Sequence, residues 1–360
     1  MDSISQFVLG AAVGVAVMGR RTSAWKAAAW GGVCGTLPDL DVFVDHGDAI
    51  RNMTFHRTES HALFYLSLLA PPIAWLASRI HHGVPGFKRW WLMVWLALVT
   101  HPLLDWMTVY GTQLALPFSD HPYAVGSIFV IDPLYTLPLA IGVAAAVLAS
   151  RDRAGHGLRW NLAGLALSTA YLAWSAVAQQ YVNAIAETSL RHQGVHAERV
   201  LVVPTAFNTV LWRVLVIEDE TYAEGFYSLL DADRTVRFQR YPRGTALYRQ
   251  SSDNWYVDRI AWFSHGFFSM RRQDGELLIS DLRMGQEPTY TFTFTIPEVP
   301  PEPAQAGARA PAVPPAASNT VAAQPVSAAK PAQLAQQIDF RAGLGWLWRR
   351  MCGERIPYPG

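Results

Sequence analysis

Apolar runs separated by short polar segments fill the first half of the chain, and the pattern changes near residue 180. The runs at 7–18 and 24–37 are rich in Ala, Gly and Val, the small residues that let helices pack closely within a membrane. Both are short for a full crossing, which suits tilted, re-entrant or buried segments. Residues 62–78 form a better span, with a kink expected at Pro71-Pro72. Residues 90–110, WWLMVWLALVTHPLLDWMTVY, form a central run of about twenty residues, enough to cross a bilayer. The runs at 133–149 and 160–178 bring the total to about five or six hydrophobic segments.

Beyond residue 179 the runs shorten and become β-branched and aromatic: 200–203, 210–217, 226–230, 261–270, 276–279 and 290–296. Asp-, Gly- and Pro-containing turns separate them, and Tyr290-Thr291-Phe292-Thr293-Phe294-Thr295 alternates as a half-buried strand does. The fold class expected is an α-helical polytopic membrane domain over 1–179, followed by a mainly antiparallel β extramembrane domain over 180–297. Residues 298–337 are Pro/Ala-rich and read as a flexible linker. The tail, 338–360, contains Leu344-Gly345-Trp346-Leu347-Trp348-Arg349-Arg350-Met351, a short amphipathic helix suited to a membrane surface or to the protein itself.

Composition agrees with a membrane protein carrying a polar part: 51% hydrophobic residues, 16% charged and 14 Trp. A net charge of +1 gives no argument for nucleic acid as a partner. Cys34 and Cys352 stand far apart and form neither a disulfide framework nor a CxxC metal motif. Residues 1–6 lack a basic segment ahead of the apolar run, so a cleavable signal peptide is not expected. Lys and Arg gather in the loops at 19–26, 79–89 and 151–159, which the positive-inside rule places in the cytoplasm. The expected location is therefore the bacterial inner membrane, multi-pass, with the β domain on the outer, periplasmic side.

The central run carries His101 and Asp105, four apart and so on one helical face. An ionisable pair inside a spanning helix is costly and points to a functional site or a water-filled cavity. A hydrogen-bonded pair inside a bundle is the plainer alternative. Pro38-Asp39-Leu40-Asp41 ends the second run, and the polar stretch 39–61 holds five acidic residues, three His and two Arg. Within it, His56 and His61 flank Arg57 and Glu59 at the entrance to a span. The loop charges bring these groups to the same face as His101 and Asp105. Together they offer three carboxylates and three imidazoles for one or two divalent metals, Zn or Mn by donor type. Glu59 is then a candidate base, and Arg57 a candidate holder of an anionic group. Asp120-His121 with Asp132 forms a further acidic cluster in the outer loop. No GxSxG elbow, HExxH motif or P-loop occurs.

These motifs resemble those of the YdjM-like bacterial inner-membrane, metal-dependent hydrolases. The opening through Gly10-Ala11-Ala12-Val13-Gly14, the segment Cys34-Gly35-Thr36-Leu37-Pro38-Asp39-Leu40-Asp41, and His56-Arg57 with Ser60-His61 resemble the family's motifs. So do His101 through Asp105 into Tyr110-Gly111-Thr112-Gln113, Pro117-Phe118-Ser119-Asp120, and Ile131-Asp132-Pro133-Leu134-Tyr135. Farther along, Asn208 to Arg213 and Asp281 to Gly285 are similar as well. The resemblance implies a membrane hydrolase with a divalent metal bound by Asp39, Asp41, His56, His61, His101 and Asp105. The site's position at the bilayer surface suggests the substrate: metal-activated water would attack an ester or phosphoester of a lipid-linked or amphipathic molecule. The chain departs from the pattern at Gln6, Val15, Thr58, Glu59 and Ala62, which touches groups around the ligands. The alternative is a non-catalytic membrane scaffold or regulator with a structural polar cluster and a partner-binding β domain.

Overall fold

The computed structural model describes residues 1–82, 84–149, 156–297, 330–334 and 340–358. Helices α1 (Ser3–Met18) and α2 (Ala24–Thr36) cross at paired glycines four residues apart. A Cβ on Gly10 would lie 2.2 Å from the Gly31 carbonyl oxygen, and one on Gly35 2.7 Å from the Gln6 carbonyl oxygen. Only glycine lets the two backbones approach this closely. A seven-residue helix, α3 (Ala49–Phe55), leads to α4 (Leu63–Ile80) and α5 (Phe87–Trp106). α4 continues through Pro71 and Pro72, and α5 through Pro102.

α5 packs against α1, α2 and α4 and forms the buried axis of the bundle, with Trp90, Met93, Val94, Ala97 and Leu98 in its core. That burial lets one helix carry His101 and Asp105 away from lipid. α6 (Pro133–Leu148) pairs with α7 (His156–His192). α4 and α7 are long and apolar enough to cross a membrane, and α1 and α6 are shorter apolar helices.

The expected boundary at residue 179 falls inside α7, whose 37 residues run from the bundle into the second half of the molecule. Ala178, Val182, Ile185, Ala186 and Leu190 recur at helical spacing and bury against the first of two four-stranded antiparallel sheets. That sheet has the order β1 (Arg199–Pro204), β2 (Leu211–Ile217), β3 (Thr221–Ser228) and β4 (Gln239–Pro242). Two helices follow, α8 (Thr245–Gln250) and α9 (Trp255–Phe263). The run at 261–270, read as a strand, divides here. Asn254 caps α9 by accepting from the Tyr256 N–H, and Val257, Ile260 and Phe263 form its buried face. After a turn with His265 and Gly266 at positive φ, the second sheet begins. It comprises β5 (Phe268–Gln273), β6 (Glu276–Gln286), β7 (Thr289–Ile296) and β8 (Ala332–Gln333).

Two further features belong to the C-terminal part. Most of the linker, 298–329, lies outside the described residues, but Ala332–Gln333 pairs with β7 as an edge strand. The tail helix α10 (Phe340–Met351) docks on the protein itself. Arg350 forms a two-pronged ion pair with Asp231 at 2.7 and 2.8 Å, and Trp346 packs edge-on to Phe226. α3 and α9 meet beside the second sheet, where Ile50, Met53 and Tyr110 share a core with Ile260 and Phe263.

Candidate metal centre

Asp39 and Asp41 sit on a 3₁₀ turn, Pro38–Phe43, directly after α2. His61 ends another, Glu59–His61, directly before α4. His101 and Asp105 are one turn apart near the C-terminal end of α5. The ends of three helices therefore bring these groups together. Arg57, at φ 65°, turns the chain between His56 and the second 3₁₀ turn in a conformation uncommon for a residue with a side chain. Its N–H donates to Asp41 Oδ2 at 3.0 Å.

Asp39, His61, His101 and Asp105 each aim one donor atom at a common centre, all within 4.8 Å of one another. His101 Nε2 lies 3.1 Å from His61 Nε2, 3.2 Å from Asp105 Oδ2 and 3.3 Å from Asp39 Oδ1. His61 Nε2 lies 3.4 Å from Asp105 Oδ2 and 3.5 Å from Asp39 Oδ1. A tetrahedron with metal–ligand bonds of about 2.0–2.1 Å has edges of about 3.3–3.4 Å. Five of the six edges, those made by His61 and His101, match such a tetrahedron, and the whole set stays within 4.8 Å.

The protons are disposed to leave those atoms as acceptors. His101 Nδ1 donates to the Gly35 carbonyl at 2.5 Å, which keeps a proton on that nitrogen and leaves Nε2 with a lone pair. His61 Nδ1 donates to Ser60 Oγ at 2.9 Å, and Ser60 in turn donates to Asp41 Oδ2 at 2.6 Å. His61 Nε2 is thus an acceptor too. Two imidazole lone pairs then face each other and two carboxylates, and buried Asp105 Oδ2 has no hydrogen-bond donor. Such a set of acceptors repels itself unless a cation lies among them. The residues fit a metal ion.

The other oxygen of Asp105 is held in place. Oδ1 accepts from Arg57 Nη2 at 3.1 Å, from Gln6 Nε2 at 3.1 Å and from the Met1 amino group. Arg57 also donates to Thr108 Oγ1 at 3.4 Å and lies over the Tyr110 ring. These contacts fix Asp105 so that only Oδ2 faces the centre.

The structure brings together four of the six expected ligands. Asp41 and His56 lie beside the four donors and bind each other, His56 Nδ1 to Asp41 Oδ1 at 2.8 Å. Burial raises the Asp41 carboxyl, yet the bond to His56 outweighs it and brings it down to about 2. The His56 side chain is 22% exposed, at the rim. Glu59 is exposed. The loop cluster disperses: Asp132 caps α6 and accepts from Tyr171, while His121 lies against His265. In the sequence Gln6 stands out only as a departure from the family's motifs, although a polar side chain beside an apolar run signals its role. Ser60 and the Gly35 carbonyl were not singled out. Their parts depend on tertiary contacts.

The model of the family described as YdjM inner membrane protein matches residues 1–182, just over half of the chain. The chain is also 31% identical over 145 residues to a protein of Bacillus subtilis (strain 168) described as "Uncharacterized protein YfhP". That match covers 37% of this chain and 42% of the relative. No solved structure gives a significant match.

Proposed function

The chain belongs to the YdjM inner membrane protein family, and on that premise we propose that it is a divalent-metal hydrolase of the bacterial inner membrane. The observation that carries this reading is the convergence of four acceptor atoms, three of them on buried residues and one the orphaned Asp105 Oδ2. Two imidazoles and two carboxylates suit Zn or Mn. Asp39, His61, His101 and Asp105 would hold the ion, while Asp41 and His56 support His61 from the side. A bound ion supplies a Lewis acid that acidifies water and polarises the oxygen of an ester or phosphoester.

The chain's own groups have separable roles. Gly35 and Ser60 keep both imidazoles in the ligating tautomer. Arg57 neutralises Asp105 and lines the same wall, where it can also face an anionic substrate group. His56, oriented by Asp41 and partly exposed, is placed to take a proton at Nε2. Glu59, the base suggested by the motif, is exposed on the turn that carries His61, and the Asp41–His56 pair lies nearer the donors. The site's place at the helix ends supports a lipid-linked or amphipathic substrate at the outer membrane face, with the β domain on that same side.

Elemental analysis of protein purified without added metal tests this directly. The expected result is about one divalent ion per chain, lost together with turnover in the double variant His101→Ala, Asp105→Ala. Stoichiometric metal that survives the double change would sink the site. Negligible metal in the unaltered protein would favour the scaffold reading.

A further inference from the structure

The 3₁₀ turn Pro38–Phe43 has two chemically opposite sides. Asp39 and Asp41 face the metal centre, with side chains 16% and 13% exposed. The intervening and following residues, Leu40, Val42, Phe43 and Val44, are all exposed, Phe43 at 82%. Four neighbouring apolar side chains beside a buried polar site form a patch that water alone would not favour.

The turn connects through the donor cluster to a helix apolar enough to cross a membrane. His61, a donor of the centre, is followed within two residues by the first turn of α4, one of the helices apolar enough to cross a membrane. α4 exposes Phe64, Leu68, Trp75 and Leu76 along its length, and Phe64 packs edge-on to the exposed Phe118. Hydrogen bonding by side chains resumes immediately past Val44. Asp45 accepts from the Gly47 N–H and from Asn52, as a residue at an aqueous boundary does.

We propose that the apolar side of the 38–44 segment is seated among the acyl chains of the leaflet nearest the metal centre. The centre then opens sideways into the bilayer as well as toward water. A hydrocarbon chain can lie along the exposed Phe43 while its polar end reaches the four donors. The lipid contact stands by itself; the path it gives a chain-bearing substrate rests on the hydrolase reading above.

Site-directed fluorescence in phospholipid nanodiscs tests the contact. In a Cys352→Ser background Cys34 is buried, so an added thiol is the one that reacts. A nitrobenzoxadiazole label on Phe43→Cys or Val42→Cys should emit to the blue. Lipids carrying a doxyl group on the upper acyl chain should quench it several-fold more than aqueous iodide does. The same label on Asp45→Cys should show the reverse preference. Iodide quenching at 42 and 43 equal to that at 45 would overturn the proposal, and so would protection from both quenchers, which would mean a protein partner or a second copy covers the patch. Repeating the measurement on chelated protein separates the two readings. A label quenched by lipid in protein that never bound metal keeps the contact and removes the hydrolase.

Discussion

Two buried charged clusters lie in the two halves of this molecule, and they are built on different principles. In the β half, Arg213 donates to the Leu282 carbonyl at 2.7 Å and pairs with Glu224. Glu224 also accepts from the Tyr290 hydroxyl and, on its other oxygen, from the Glu287 N–H. Asp281 takes four contacts from Arg283, one from its backbone N–H and three from its guanidinium, the shortest 2.7 Å. Every carboxylate oxygen of Glu224 and Asp281 has a donor. In the helical half, Arg57 and the Met1 amino group hold one oxygen of Asp105, the His61 and His101 protons are spent on other groups, and Asp105 Oδ2 has no donor. Matched charge locks two sheets together. Unmatched acceptors mark a place for a ligand. Burial is common to both, so it is the donor–acceptor balance that separates architecture from chemistry.

The largest effect should come from Asp105→Ala. It removes a ligand and leaves Arg57 buried without its partner, so metal content should fall to background and unfolding free energy by about 3–5 kcal/mol. Arg213→Met should cost a similar amount by stranding Glu224, but with metal content unchanged. The double variant Arg213→Met, Glu224→Leu should recover most of that loss, since apolar replacement of a whole buried pair is often neutral. If Arg213→Met also emptied the metal site, the two clusters would not be independent. Chelation of the unaltered protein should lower its thermal midpoint. At 100-fold saturation a ligand contributes about 2.7 kcal/mol, and the decrease should be absent in Asp105→Ala.

The smallest predicted effect is a pH slope at the seam between the halves. His265 Nε2 donates to the Pro122 carbonyl at 2.9 Å. Burial first, and then Arg283, hold its imidazole below the ordinary value of 6.5. The unfolded chain binds that proton more readily, so stability is full above 6.5, declines as pH falls through it, and levels off below the depressed folded value. Thermal melts between pH 7.5 and 5 should show this decline, and His265→Asn should flatten it.

Much of the metal centre was legible because its residues are chemically out of place. His101 and Asp105 stand in an apolar run, and the Asp39 and His61 motifs flank apolar segments. What could not be read was the division of labour between His56 and His61. Both look like ligands along the chain, and only the Ser60 and Asp41 contacts show which imidazole turns inward. The β half was legible where alternation is strict, as in β7. It was not legible at α7, where Gln179, Gln180, Asn183 and Glu187 interrupt the apolar run that a span would show, although the buried positions keep the helical period. The Arg213–Glu224 pair needed the strand register, which places Glu224 opposite Leu215, two residues beyond Arg213 on β2.

α7 also sets a mechanical relation between the halves. Its 37 residues form one unbroken rod, about 55 Å long at about 1.5 Å per residue. One end is gripped by α6 and the other carries the first sheet on the face that holds Val182 and Ala186. A rod of that length is a lever: a tilt of about 5° at its base moves the far end by about 5 Å. Bilayers that differ in thickness tilt their helices by such amounts. Any such tilt of α7 carries the first sheet with it.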